Sequence, residues 1–148
     1  MTDWLNPSGE NLSHSELLEM LSRSEAEIHV GSDSHLVGGE WLFATAVCVY
    51  VNGKGGSFCY RRKKSPKLQF RSLYERLMQE TTLSILAAEE IKSLTDKKVT
   101  IHADVALSNT ASSKYRGQVE SFVRSMGFPV LTKPESWASS SIADKKAR

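Results

Sequence analysis

The sequence predicts an α/β fold: a mixed five-stranded sheet, three antiparallel strands then parallel additions, with helices on both faces. Three observations predict it. Strand-like runs at residues 26–32, 41–51 and 57–61 follow one another across short glycine-containing turns, the pattern of an antiparallel meander. A long helical run at about 68–94 separates them from an apolar run at 99–103, a crossover that places the next strand parallel. A helix at about 113–126 and a short strand at 128–131 extend the arrangement.

Residues 1–11 are polar and rich in turn formers, and are expected to be mobile. Ser13 and Glu16 have the spacing of a capping box, so a short helix starts there with Leu17, Leu18 and Leu21 as its apolar stripe. In the first strand Ile28 and Val30 alternate with His29 and Gly31. Val37-Gly38-Gly39 turns the chain into the second strand, which is apolar almost throughout and so covered on both sides. Asn52-Gly53-Lys54-Gly55-Gly56 is a hairpin loop, and the cationic stretch with Pro66 is expected to end the short third strand. The long helix holds good helix formers and no Gly or Pro. On it Leu73, Leu77, Glu80, Ser84, Ala88 and Ile91 share one face by their three- and four-residue spacing. Gly127 caps the following helix, Pro134 breaks the chain again, and Ser136 or a nearby serine starts a last helix bearing Asp144.

A chain of 148 residues, 40% hydrophobic and 24% charged, suits one domain with a core that needs no staples. Residues 1–25 form a polar lead-in with a short helix, and 26–148 form the domain. The two cysteines, Cys48 and Cys59, sit in apolar strand-like runs. They read as buried thiols of a reducing compartment rather than a disulfide framework or a zinc site. With no apolar run long enough to span a bilayer and no signal-peptide pattern at the start, a cytoplasmic location is expected and no membrane partner. The net charge of +2 is too small to identify a partner. Its distribution is more telling: Arg61, Arg62, Lys63, Lys64, Lys67 and Arg71 fall in one stretch. A solvated loop explains such a run most simply. Positive charge at the start of a helix is unfavourable to its dipole, however, which hints at use in phosphate contact.

Four acids stand out by position. Asp33 ends the first strand, Glu80 lies on the otherwise apolar face of the long helix, Asp104 ends the fourth strand, and Asp144 lies in the last helix. Parallel neighbouring strands lie ~4.8 Å apart, so Asp33 and Asp104 can share a cation. An inward carboxylate at Glu80 needs a partner, because an unpaired buried charge is costly. Oxygen ligands suit Mg²⁺ or Mn²⁺, and two such ions can drive phosphodiester hydrolysis. The plainer readings are a turn acid for Asp33, a helix cap for Asp104, a surface glutamate for Glu80 and a solvated chain end for Asp144.

Strand order and acid order together resemble the ribonuclease H superfamily. The local sequences are similar to the bacterial YkuK-type ribonuclease-H-like family. The stretches that carry the likeness are Gly31-Ser32-Asp33-Ser34-His35, Phe43-Ala44-Thr45-Ala46-Val47, Tyr60-Arg61-Arg62, Glu80-Thr81-Thr82-Leu83-Ser84, His102-Ala103-Asp104-Val105, Met126-Gly127-Phe128, and Lys133-Pro134 through Ala143-Asp144-Lys145. They span roughly 26–146. The resemblance implies that Asp33, Glu80, Asp104 and Asp144 are metal ligands and catalytic residues.

Three functions follow from these readings. The first is a metal-dependent nuclease acting on RNA, DNA or a hybrid. Arg61, Arg62, Lys63, Lys64 and Lys133 would contact the nucleic acid. His35 would aid proton transfer, and His102 would orient Asp104. The second is a nucleic-acid-binding module on the same fold, with weak or no catalysis. The third, phosphotransfer of the sugar-kinase type, is set aside because it needs two such domains and a nucleotide-binding loop. Gly53-Lys54-Gly55-Gly56 lacks the spacing of a phosphate-binding motif.

Overall fold

The computed structural model of the chain describes residues 2–105 and 111–148. Its sheet has the order β3-β2-β1-β4-β5. Strand β1 (Glu27–Val37) pairs antiparallel with β2 (Glu40–Val51), and β2 with β3 (Gly55–Pro66). Strand β4 (Val99–His102) runs parallel to β1, and β5 (Val130–Leu131) parallel to β4. The mixed sheet is the one the sequence predicts.

Gly38 and Gly39 close the β1–β2 hairpin with φ of +58° and +81°. Two consecutive left-handed residues match the right-handed twist of the strands they join, and glycine adopts that shape without a Cβ clash.

Two strands are longer than their residues suggest. β1 continues through Asp33, Ser34 and His35 to Val37, paired with β2 along its whole length. Asp33 therefore lies inside a strand rather than at its end. β3 continues through the cationic stretch to Pro66, so Arg61–Lys64 are edge-strand residues and not a loop. Polar side chains at an edge cost little, and Lys and Arg there discourage further strand pairing. The parallel half is shorter: β4 stops at His102, opposite Gly31, so the three antiparallel strands project past it.

Helix α1 (His14–Leu21) begins with the expected Ser13–Glu16 capping box, and buries Leu17 and Leu21 but not Leu18. Helix α2 (Leu73–Lys92) begins later than the periodicity implies, because Ser72 caps it in a second capping box with Glu75. Residues Lys67–Gln69 form a separate 3₁₀ turn before it. Helix α3 (Arg116–Ser125) ends before Gly127, whose φ is +91°. The C-terminal segment forms a π-helical turn, Ala138–Ala143, that runs into α4 (Asp144–Lys146).

The main core lies on one face of the sheet, where Ile28, Val30, Val47, Val49 and Ile101 meet Ile85, Ala88 and Ile91 of α2, with Leu17 and Leu21 of α1. Each Val, Leu or Ile side chain among these contributes about 1.5–3 kcal/mol when fully buried. On the other face Ala46, Cys48 and Tyr60 lie under Ala138 and Ala143 of the C-terminal turn.

The N-terminal segment is not the mobile lead-in the composition implies. Trp4 is fully buried in the main core, its indole N–H donates to Glu90 Oε2 at 2.6 Å, and the Arg61 guanidinium stacks 4.2 Å over its ring. Leu5 exchanges both backbone hydrogen bonds with Tyr60 of β3, at 2.7 and 3.0 Å. One large aromatic is enough to anchor a stretch whose other residues are polar. Among the described residues no helix is long and apolar enough to cross a membrane.

Candidate metal centre

The parallel register of β1 and β4 builds the site. Gly31 faces His102 across the ladder, and two residues further along each chain stand Asp33 and Asp104. β4 has ended by then, so the sheet opens beside the C-terminal ends of its parallel strands, where α/β sheets bind ligands.

Alternation along β1 sends its side chains to two faces. Ser32 and Ser34 point toward α2. Asp33 and His35 point toward the C-terminal segment, which packs on β1 through the π-helical turn. There Asp33, His35 and Asp144 each offer one ligand atom, all within 4.8 Å of one another. His35 Nε2 lies 2.7 Å from Asp144 Oδ1 and 3.7 Å from Asp33 Oδ2. Arg148 pairs with the other oxygen of Asp144 at 3.3 Å.

Glu80 and Asp104 stand beside this group without joining it. Glu80 is buried on α2 as its helical phase predicts, and accepts a 2.5 Å hydrogen bond from the Ser34 hydroxyl. Asp104 Oδ1 accepts a hydrogen bond from Ser140 Oγ at 2.9 Å and lies 3.1 Å from Lys133 Nζ. The sequence brings Asp33 and Asp104 to neighbouring strands as expected. The direct partner of Asp33 is Asp144 rather than Asp104.

The electrostatics are those of a site built to hold positive charge. Burial raises the pKa of Asp33, the negative charges of Glu80 and Asp104 add to the rise, and a hydrogen bond with Asp144 holds the proton on Asp33. The amide of Ser34, donating to Asp33 Oδ1 at 2.9 Å, opposes it. Burial pushes Glu80 up to about 8, with Asp104 adding to the rise, against the Ser34 hydrogen bond and the charges of Arg76 and Lys133. Partial burial of Asp144 is outweighed by hydrogen bonds from Asp33 and His35 and by the charges of Arg148 and His35, so its pKa falls. Two carboxylates and an imidazole within metal reach, with the buried carboxyl of Glu80 beside them, fit a divalent cation in donor type and in charge.

His102 does not orient Asp104. Its Nδ1 accepts the Ala138 amide at 3.0 Å, so its Nε2 carries the proton and donates to His29 Nδ1 at 2.9 Å. His29 Nε2 donates in turn to Glu27 Oε1 at 3.1 Å. Trp137 packs against both imidazoles, each 4.9 Å away. Burial, then the charge of His29, pushes His102 down to about 3, so it stays neutral. The pair fixes the C-terminal segment to the sheet.

Of the cations marked for nucleic acid, Arg61 is engaged by Glu90, Asp3 and the Trp4 ring. Arg62 Nε donates to the Lys146 carbonyl at 2.7 Å. Lys63 and Lys64 are exposed on the projecting end of β3, and Lys133 lies at Asp104. Ser34 and Ser140 are site residues that the sequence reading passed over. Ser34 was findable, since the neighbour of an inward aspartate on a strand faces the opposite side. Ser140 sits in a run of serines with no distinguishing signal.

A family model described as Ribonuclease H-like matches residues 14–148. A comparison with curated proteins finds no match.

Proposed function

The chain belongs to the ribonuclease H-like family, and from that footing we propose that it is a divalent-metal-dependent nuclease hydrolysing phosphodiester bonds in nucleic acid. One observation supports this most: Asp33, His35 and Asp144 converge within 4.8 Å where the parallel strands open. Asp33, His35 and Asp144 hold the ion, and Glu80 and Asp104 form the acidic rim beside it. Mg²⁺ or Mn²⁺ bound there supplies Lewis-acid polarisation of a phosphoryl oxygen and a more acidic attacking water.

The chain's own groups do the positioning. Ser34 fixes Glu80 against the strand, and Ser140 fixes Asp104 against the C-terminal turn. The His29–His102 pair and Trp137 hold that turn on the sheet, and with it Asp144. Lys63 and Lys64 seat the phosphate backbone of RNA, DNA or a hybrid. Arg61 and Arg62, bound within the fold, brace β3 instead.

Labelled RNA, DNA and hybrid substrates with Mg²⁺ or Mn²⁺ test the proposal. Asp33→Asn is expected to abolish metal-dependent cleavage, with a circular dichroism spectrum like that of the parent. Cleavage at parental rate by that variant removes the assignment. The rival reading, a binding module without catalysis, draws on the engagement of Asp104 by Lys133 and Ser140. It predicts nucleic-acid binding that survives EDTA, with no cleavage under any metal.

A further inference from the structure

Lys133 is the one cation paired directly with the acidic rim among the described residues. Its Nζ lies 3.1 Å from Asp104 Oδ1, and its charge also reaches Glu80 and favours that group's ionised form. We propose that the Lys133 ammonium takes the place of a second divalent ion, so that the folded chain binds one divalent cation, at Asp33, His35 and Asp144. This rests on the metal-centre reading above and deepens it.

Three observations carry the inference. First, the acids separate into two groups. Asp33 and Asp144 share His35 and a metal-sized gap, whereas Glu80 and Asp104 each have a hydroxyl donor and share the field of Lys133. Second, the backbone delivers Lys133 to this point. β5 pairs with β4 up to Leu131, and the Lys133 amide donates to the Val105 carbonyl at 3.1 Å, one residue beyond Asp104. The buried Thr132 between them accepts from Arg116 Nε at 3.3 Å. The lysine stem therefore starts from a fixed position beside its acid. Third, protein cations already stand against these acids: Lys133 at Asp104 and Arg148 at Asp144, with the charge of Arg76 reaching Glu80. A second divalent ion would add two further positive charges beside them before any phosphate arrives. An ammonium is a compact, strongly hydrated point charge with three donors, and can stand where a small hard cation would.

Calorimetric titration of the intact protein with Mn²⁺ tests the count without recourse to activity. The parent is expected to bind one Mn²⁺, Lys133→Arg one, and Lys133→Met two, because removal of the ammonium leaves Asp104 and Glu80 to a metal. Asp33→Asn is expected to lose the site. Two ions in the parent, or a single ion in a folded Lys133→Met, overturn the inference and leave the nuclease reading standing. No ion in the parent overturns both. Electron paramagnetic resonance of the Mn²⁺-loaded parent needs no variant: an isolated Mn²⁺ signal is expected, and a spin-coupled pair contradicts the proposal.

Discussion

At Glu80 the fold places a carboxylate where water cannot solvate it, and one serine hydroxyl is its direct donor. Its pKa rises from an ordinary 4.5 to about 8, so the folded chain binds that proton more tightly than the unfolded chain does. Stability from this group is present below pH 4.5 and is lost as pH rises through about 8. Asp33 shifts in the same direction for the same first cause, burial. The metal-free protein is thus expected to melt at progressively lower temperature from about pH 5 to pH 8. Glu80→Gln should flatten that slope and stabilise the metal-free chain at pH 8 by roughly 1–3 kcal/mol, the usual penalty for a poorly satisfied buried group. An unchanged slope in the variant removes Glu80 as its source. Much of this was legible in the sequence. Glu80 stood out as a charge on an apolar helical face, and Asp33 and Asp104 as acids on neighbouring parallel strands. The direct pairing of Asp33 with Asp144 was not legible, because it depends on how a C-terminal turn docks on β1.

The elements were read best where periodicity is strong. The capping box of α1, the buried face of α2, the Gly38-Gly39 turn and the parallel placement of β4 all stand as the sequence predicts. Strand ends were read worst, for a physical reason. Asp33, Ser34 and His35 look like turn chemistry, and Arg61–Lys64 like a loop, yet ladder pairing with β2 holds both segments extended. Pairing is a long-range property that local composition does not encode. The N-terminal segment is the same lesson in reverse, with Trp4 binding a polar stretch to the core and Leu5 pairing with the edge strand β3. Trp4→Ala is expected to cost about 3–5 kcal/mol, the range for a buried aromatic truncated to alanine. Chemical denaturation measures it, and a loss under about 1 kcal/mol would mean that the segment is not docked in solution.

Across the whole molecule, one architectural choice sets up the chemistry. The antiparallel half of the sheet is long and the parallel half short, so β1 runs on past the last paired residue of β4 with Asp33 and His35 on one side and Ser34 on the other. α2 covers the side of Ser34 and brings Glu80; the C-terminal turn covers the other side and brings Asp144. Residues from the first strand and from the C-terminal turn meet because the His29–His102 pair and Trp137, with the packing of Ala138 and Ala143 on Ala46 and Tyr60, hold that turn on the sheet. The metal centre is probed without an enzyme assay by an anomalous difference map from crystals grown with Mn²⁺. A peak is expected within bonding distance of Asp33, His35 and Asp144 together. A map from a fully Mn²⁺-saturated crystal with no peak at those three residues would contradict that assignment.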